Sequence, residues 1–185
     1  FRRVLVRSYF GDKQSLFLAC VRHSLELLDA TLRKAVPEGA DAETSIRALV
    51  PALIAAARQH GNYNVLYNEI TSGSCREFAP ELAREIESRT AQLYTRLFET
   101  AKEAGVLAPG LAPEAAAFFF DNLLMMLQFS YSCDYYQHRM RLYCGENAAW
   151  NDEMMADQLT RFLLGAMRGE GSCNISLPTT SEPPA

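Results

Sequence analysis

The stretch from Glu114 to about Tyr143 restricts the possible folds more than any other part of the sequence. Its centre, residues 115–129, reads AAAFFFDNLLMMLQF and is apolar nearly all round a helix, whereas a surface helix carries a single apolar stripe. The stretch is too short, and too often interrupted by Asp121, Asn122 and Gln128, to span a membrane. We expect the core of the domain to cover one side of this helix and a partner subunit to cover the other.

The remaining chain also predicts helices. No sustained run alternates apolar and polar residues with many Val, Ile and Thr, so no sheet is expected. The predicted fold class is therefore all-α, a helical bundle. Pro51 lies inside one predicted helix and should either kink it or move its boundary a turn earlier. Besides the stretch above, the predicted helices run from Lys13 to Ala35, Ala42 to His60, Tyr63 to Ser72, Pro80 to Ala104 and Asn151 to Met167.

Length and charge favour one domain without a general nucleic-acid-binding surface. The chain has 185 residues and a formal net charge of -4, and that length favours a single domain with a sizeable core. It begins with Phe1 rather than Met, so we expect it to be part of a longer protein. Residues 170–185 are rich in Ser and Pro and predict a disordered tail.

The cysteines indicate the compartment. They are scattered along the chain, and no CxxC pair occurs. Free thiols in a reducing environment fit this pattern better than a disulfide framework does, so we expect a cytoplasmic protein. A thiol-based redox sensor is the alternative interpretation. The residues concerned are Cys20, Cys75, Cys133, Cys144 and Cys173.

No arrangement of residues typical of an enzyme or a metal site is present. The three histidines, His23, His60 and His138, are far apart, and none ends a Glu-x-x-His pair. HExxH, P-loop, GxGxxG and GxSxG motifs are absent as well. We therefore expect no catalytic residues, no metal and no cofactor.

Positive charge is concentrated at the start of the chain. Asp12 is the only acidic residue before Glu26, while basic residues recur up to Lys13. Such asymmetry is expected where one end of a protein meets phosphate groups. Lys13 lies at a predicted helix start, where a cation is unfavourable for the helix dipole unless an anion is nearby. A solvated basic turn is the alternative interpretation.

The same segment carries a family resemblance. Tyr9, Phe10, Lys13 and Leu16, with a Gly-Asp turn between the aromatic pair and the lysine, resemble a junction in TetR-family transcriptional regulators. In that family the DNA-recognition helix ends at this junction and the long connecting helix begins there. Arg7 departs from the family pattern, in which other residue types are commoner at that position.

The resemblance implies a domain order and a function. Residues 1–12 would be the end of a three-helix head whose helix-turn-helix is mostly missing from this chain. Residues 13–169 would form the effector-binding and dimerisation domain of a TetR-like helical bundle. The implied protein is a homodimeric repressor that binds double-stranded operator DNA and is released by a small effector. The residues then expected at the DNA backbone are Arg2, Arg3, Arg7, Tyr9 and Lys13.

Polar groups inside the apolar stretch indicate either a ligand or hydrogen bonds between helices. Burying an unpartnered amide or carboxylate costs on the order of 1–3 kcal/mol, so Asn122 and Gln128 need partners, and Asp121 needs one too unless it lies at an edge. Dense aromatic and methionine side chains fit an apolar pocket, although a packed core would need them too. We expect a small hydrophobic effector, such as a fatty-acyl compound or an aromatic drug-like molecule. The expected pocket residues are His23, Tyr67, Leu93, Phe119, Asn122 and Met126.

Two apolar helices near the end of the chain predict a subunit interface. A symmetric four-helix interface takes two helices from each subunit across a twofold axis. The residues expected in it are Phe120, Leu123, Leu127, Tyr131, Leu159, Phe162 and Leu163. One alternative is a helical carrier or enzyme that holds a hydrophobic molecule and never binds DNA. Another is a plain dimeric interaction module with a dry, packed core.

Overall fold

The computed structural model describes residues 13–69, 79–147 and 151–169, and these residues form α-helices and no strand. The predicted all-α fold class is confirmed. The described helices are α1 (Lys13–Ala35), α2 (Ala42–Gln59), α3 (Gly61–Glu69), α4 (Ala79–Glu103), α5 (Pro113–Ser132), α6 (Asp134–Cys144) and α7 (Asp152–Arg168). The predicted head remnant, residues 1–12, and the predicted tail, residues 170–185, lie outside the described residues.

Local sequence signals explain where several helices begin and end. The Asp41 side chain caps α2 by accepting a hydrogen bond of 2.7 Å from the amide of Thr44. Asn151 caps α7 in the same way, over 3.0 Å from the amide of Met154. Side-chain oxygens at these positions satisfy amides that have no partner inside the helix. After α7, Gly169 takes a left-handed conformation with φ 65°, which glycine adopts without a steric penalty.

The predicted helix from Glu114 to Tyr143 is divided in two, which the sequence pattern did not indicate. Cys133 has an extended backbone, φ -112° and ψ 128°, and separates α5 from α6. The hydroxyl of Ser132 donates to the carbonyl of Ala57 over 3.2 Å, which holds the end of α5 against α2. No proline or glycine marks the break in the sequence. The break coincides instead with this tertiary contact between α5 and α2.

Pro51 lies within α2, which is assigned as a single helix from Ala42 to Gln59. The boundary expected a turn earlier is therefore not present. The proline ring is exposed, so its bulk is accommodated on the solvent side. A proline at this position still leaves the carbonyl of Arg47 without the usual amide donor four residues later.

Replacing Pro51 with alanine should raise the free energy of unfolding by about 1–2 kcal/mol. Proline is about 3 kcal/mol less favourable than alanine inside a helix, and part of this is offset because proline restricts the unfolded chain. Urea denaturation followed by circular dichroism measures the difference. Ala55→Ser, at an exposed position one turn later, is the control and should change stability little. A destabilised P51A variant would contradict this prediction.

The core is built around α2. Its apolar stripe, Ile46, Leu49, Val50, Leu53 and Ile54, is almost completely buried. Helices α1, α3, α4, α5 and α7 all pack against α2. Because one stripe serves as the common packing surface, α2 fixes where the other helices lie relative to each other.

An aromatic cluster joins α4 to α5 inside this core. Phe120 meets Tyr94 edge to face with ring centroids 5.0 Å apart, and it meets Phe98 in the same way at 5.6 Å. Edge-to-face pairs at these distances are stabilising beyond their buried area. The cluster fixes the rotation of α5, and therefore decides which α5 side chains face the remaining space between α1, α3 and α4.

Candidate ligand-binding cavity

A cavity of about 110 Å³ lies between α1, α3, α4 and α5, beside the end of α2. Helices α1, α3 and α5 contribute both apolar or aromatic and polar side chains to it, and α4 contributes Glu87 and Thr90. The lining residues are Ser24, Leu25, Leu27, Leu28, Thr31, Ala56, His60, Tyr63, Asn64, Tyr67, Glu87, Thr90, Asp121, Met125, Gln128 and Phe129.

Aromatic rings hold one wall of the cavity together. Tyr67 packs on Phe129 with ring centroids 6.0 Å apart. Tyr63 contacts the ring of His60 at 5.8 Å and, on its outer side, the ring of His23 at 5.8 Å. Large rings with few rotatable bonds give this wall a defined shape that an aromatic or apolar ligand could pack against.

Two carboxyl groups from facing helices are the principal charges in the cavity. Glu87 comes from α4 and Asp121 from α5. The phenol of Tyr67 donates a hydrogen bond to the Glu87 carboxylate. Burial, followed by the nearby negative charge of Glu87, raises the pKa of Asp121 to about 6. Burial and the same carboxylate also raise the pKa of the Tyr67 phenol well above its usual range, so it remains a donor.

The other polar side chains of the wall bond mainly to backbone. Ser24, Thr31 and Gln128 donate to the carbonyl four residues earlier in their own helices, over 2.8, 2.8 and 3.3 Å. Asn64 donates to the hydroxyl of Ser132 over 2.8 Å. These groups are satisfied within the fold. The carboxylates are therefore the polar groups most able to select a ligand.

A wider groove of about 720 Å³ lies between α1 and α4 and shares Leu25, Leu28 and Thr90 with the cavity. Several arginines line it. Asp29 contacts the guanidinium groups of Arg33 at 2.7 Å and Arg89 at 3.7 Å. The groove gives the cavity a neighbouring space into which a longer ligand could extend.

The structure places one of the six expected pocket residues, Tyr67, in the cavity wall. Leu93 lines the groove instead, and His23 lies outside, against Tyr63. Phe119 is 59% exposed, and Asn122 donates to the backbone of its own helix.

The predicted orientation of α5 was wrong: the residues that face the cavity are shifted by about one position along the helix. Met125 lines the cavity in place of Met126 and Asp121 in place of Asn122, whereas Gln128, the other amide considered for the pocket, does line it. Successive residues on a helix are rotated by about 100°, so neighbours in the sequence face different surroundings. The rotation follows from the aromatic cluster on α4, which the sequence alone does not show.

Glu87 and the α1 residues that line the cavity were not among the pocket residues predicted from the sequence. Glu87 lies three residues before Thr90 and seven before Tyr94, both of which are buried. That spacing puts a carboxylate on the inward face of α4. A charged residue in phase with buried residues is the signal that could have identified it.

The residues expected in a subunit interface fall into three groups. Phe120, Tyr131 and Leu163 are buried by their own subunit, so they cannot supply contacts to a partner. Leu127 and Leu159 are partly buried against the same core. Leu123 and Phe162 are exposed, as are the neighbouring rings Phe118 and Phe119. Aromatic contacts cover Phe120, the Arg58 guanidinium covers Tyr131, and Leu163 belongs to the buried core of its own subunit.

The expected DNA contacts are mostly outside the described residues. Arg2, Arg3, Arg7 and Tyr9 all precede them, and Lys13 enters as the first residue of α1. Cys20, Cys133 and Cys144 are free thiols, and burial raises the pKa of the Cys133 thiol, which makes it less reactive.

Residues 13–69, 79–147 and 151–169 contain neither a membrane-spanning helix nor a cluster of metal-binding side chains. There, no helix is long and apolar enough to cross a membrane. The same residues bring no group of three His, Cys, Asp or Glu side chains together as a metal site. No protein-family model matches the chain, and a search among curated proteins finds no match either.

Replacing Asp121 with asparagine should stabilise the fold at neutral pH but not in acid. The folded chain holds the Asp121 proton more tightly than the unfolded chain does, because the pKa is raised from 3.8 to about 6. Stability therefore falls as the pH rises between these values and stays at the lower level above them. Removing the charge should recover about 1–3 kcal/mol near pH 7.5 and almost nothing near pH 4.

Urea denaturation at both pH values measures this effect. The titratable residues that line the cavity with Asp121, His60, Tyr63, Tyr67 and Glu87, and the neighbouring Tyr94 are the same in both proteins. The matched control is Asp157→Asn, which removes a carboxylate paired with Arg161 on the surface and should change stability by less than about 1 kcal/mol. A gain that is equal at the two pH values would contradict the assignment to Asp121 ionisation.

Proposed function

We propose that this chain is the ligand-responsive core of a homodimeric, DNA-binding transcriptional regulator of the TetR type, a repressor released by a small effector. The observation that carries the proposal is the position of α1. This helix directly follows the segment that resembles the family's DNA-binding junction, and it supplies five of the cavity-lining residues, Ser24, Leu25, Leu27, Leu28 and Thr31. A ligand in the cavity would therefore contact the helix that leads to the DNA-binding head.

The packing of α1 supports its use as the moving part. Among its side chains that the structure describes, only Val21 and Leu32 are buried. Elements with few buried contacts move at a lower free-energy cost than core elements do. A ligand that packs better against one position of α1 than another shifts the population of the two positions, and with it the spacing of two heads in a dimer.

Two exposed apolar stripes support the dimer. On α5, Phe119, Leu123 and Met126 follow the spacing i, i+4, i+7, which puts them on one helix face. On α7, Met155, Leu159 and Phe162 follow the same spacing. Each stripe is partly or fully exposed in the single chain, and neither contains a charged residue. A twofold axis brings each patch against its own copy, so uncharged stripes avoid like-charge repulsion.

DNA binding is the experiment that tests this proposal. The protein is expressed with any coding sequence that precedes Phe1 in its gene, and it is titrated against the DNA upstream of that gene at two salt concentrations. We expect binding that exceeds binding to random DNA, with an affinity that falls steeply with salt. Equal affinity for random DNA would contradict the regulator.

The alternative function is that of a helical carrier or enzyme that holds a hydrophobic molecule and does not bind DNA. The cavity is equally compatible with this function, because an apolar wall with two carboxylates would serve a carrier as well. Ligand binding together with equal affinity for all DNA sequences would establish it. The other alternative was a dimeric interaction module with a dry, packed core, and the presence of the cavity argues against it.

A further inference from the structure

The cavity combines negative charge with an apolar, aromatic wall. Glu87 and Asp121 line it from two neighbouring helices, α4 and α5, and the negative charge of Glu87 acts on Asp121. The described lining residues include no Lys or Arg. Two carboxylates that share such a site without a cation repel one another, and burial adds a desolvation penalty for Asp121.

The hydrogen bonds of the cavity leave one carboxylate for a ligand. Glu87 accepts from the Tyr67 phenol, whereas Asp121 receives no hydrogen bond from the described residues that line the cavity with it. The rings of Tyr63, Tyr67 and Phe129 lie in the same wall. Aromatic faces attract cations, and the attraction is strongest where water is excluded.

We propose that the effector of this cavity is an organic ammonium cation with an apolar or aromatic body, its nitrogen held between Glu87 and Asp121. This inference rests on the proposed function, since it names the class of ligand to which the regulator would respond. The cation compensates the two carboxylates, and its body packs against Tyr67, Met125 and Phe129. It narrows the hydrophobic effector expected from the sequence to one that carries a positive charge.

The size of the cavity limits the rigid part of such a ligand. At about 110 Å³ it is comparable to apolar protein cavities of about 150 Å³ that take up benzene. A single ring is therefore the largest rigid unit that this volume matches. A longer molecule would extend past Leu25, Leu28 and Thr90 into the groove between α1 and α4.

Three probes of similar size separate charge from shape. Phenyltrimethylammonium is a permanent cation, tert-butylbenzene is its neutral isostere, and benzoate carries the opposite charge. Calorimetric titration of the whole protein should show the cation binding at least about 10-fold more tightly than either of the others. Preference for tert-butylbenzene or benzoate, or no binding of the cation at millimolar concentration, would overturn the inference.

Variants test whether Glu87 and Asp121 cause the preference for the cation. The double variant Glu87→Gln, Asp121→Asn should weaken binding of the cation by about 10-fold or more and leave binding of tert-butylbenzene unchanged. Asp157→Asn, which removes a surface carboxylate, is the control and should bind all probes as the wild type does. Denaturation curves of the same preparations check that the double variant is folded. Unchanged binding of the cation by a folded double variant would overturn the inference.

The experiments distinguish failure of the proposed regulator function from failure of the proposed ligand class. DNA titrations of the same preparations report on the regulator without any ligand. Selective DNA binding without binding of the cation would leave the regulator standing and remove its proposed ligand class. Binding of the cation without selective DNA binding would keep the ligand class and favour a carrier.

Discussion

Replacing Phe120 with alanine should lower the free energy of unfolding by about 3–5 kcal/mol, the largest loss expected from any single α5 substitution. The side chain is 2% exposed, and its ring meets both Tyr94 and Phe98 edge to face. Alanine would leave a void that the surrounding helices can close only in part, and it would remove two aromatic pairs. Urea denaturation measures the loss.

Phe118→Ala on the same helix is the matched control. This ring is 65% exposed, so its removal should cost little in the isolated subunit. Because a dimer gains stability with concentration, both variants are compared with the wild type at two protein concentrations. A loss for F120A that is no larger than the loss for F118A would contradict the placement of Phe120 in the core of its own subunit.

The double variant Phe119→Arg, Phe162→Arg should convert the protein from dimer to monomer. The two rings are 59% and 61% exposed in the single chain, and they lie in the apolar stripes of α5 and α7. In a twofold interface each arginine would be buried near its own copy without a partner, so the dimer dissociation constant should rise by about 100-fold or more. Sedimentation velocity over a concentration series measures the change.

Leu142→Arg is the control for that experiment. Leu142 is 86% exposed and lies on α6, away from both stripes along the chain. This variant should remain dimeric. A wild-type protein that is monomeric at high micromolar concentration, or a double variant that remains dimeric, would contradict the proposed interface.

Most of the fold could be predicted from the sequence because its signals are local. The caps at Asp41 and Asn151 and the proline at the start of α5 mark helix boundaries within a few residues. The break at Cys133 could not be predicted in this way. It coincides with the contact between Ser132 and the carbonyl of Ala57, residues that are far apart in the chain.

The site was less predictable because it depends on helix rotation. The sequence indicated that α5 is apolar on opposite sides, and the structure gives it a buried side and a side with exposed rings. Which α5 residues face the cavity depends on the packing of Phe120 against α4. The sequence prediction placed Asn122 in the cavity, but the neighbouring residue Asp121 lies there, so a carboxylate takes the place of the predicted amide. The sequence prediction therefore missed the carboxylate that α5 contributes to the cavity.

The most direct test of the proposed regulator asks whether a ligand in the cavity changes its affinity for DNA. The dissociation constant for the DNA upstream of the gene is measured by fluorescence anisotropy, with and without saturating phenyltrimethylammonium, on the protein as its gene encodes it. A ligand-responsive repressor predicts selective binding that weakens by about 5- to 150-fold when the cation is bound. Equal DNA affinity in both conditions, with cation binding verified by calorimetry, would contradict the account.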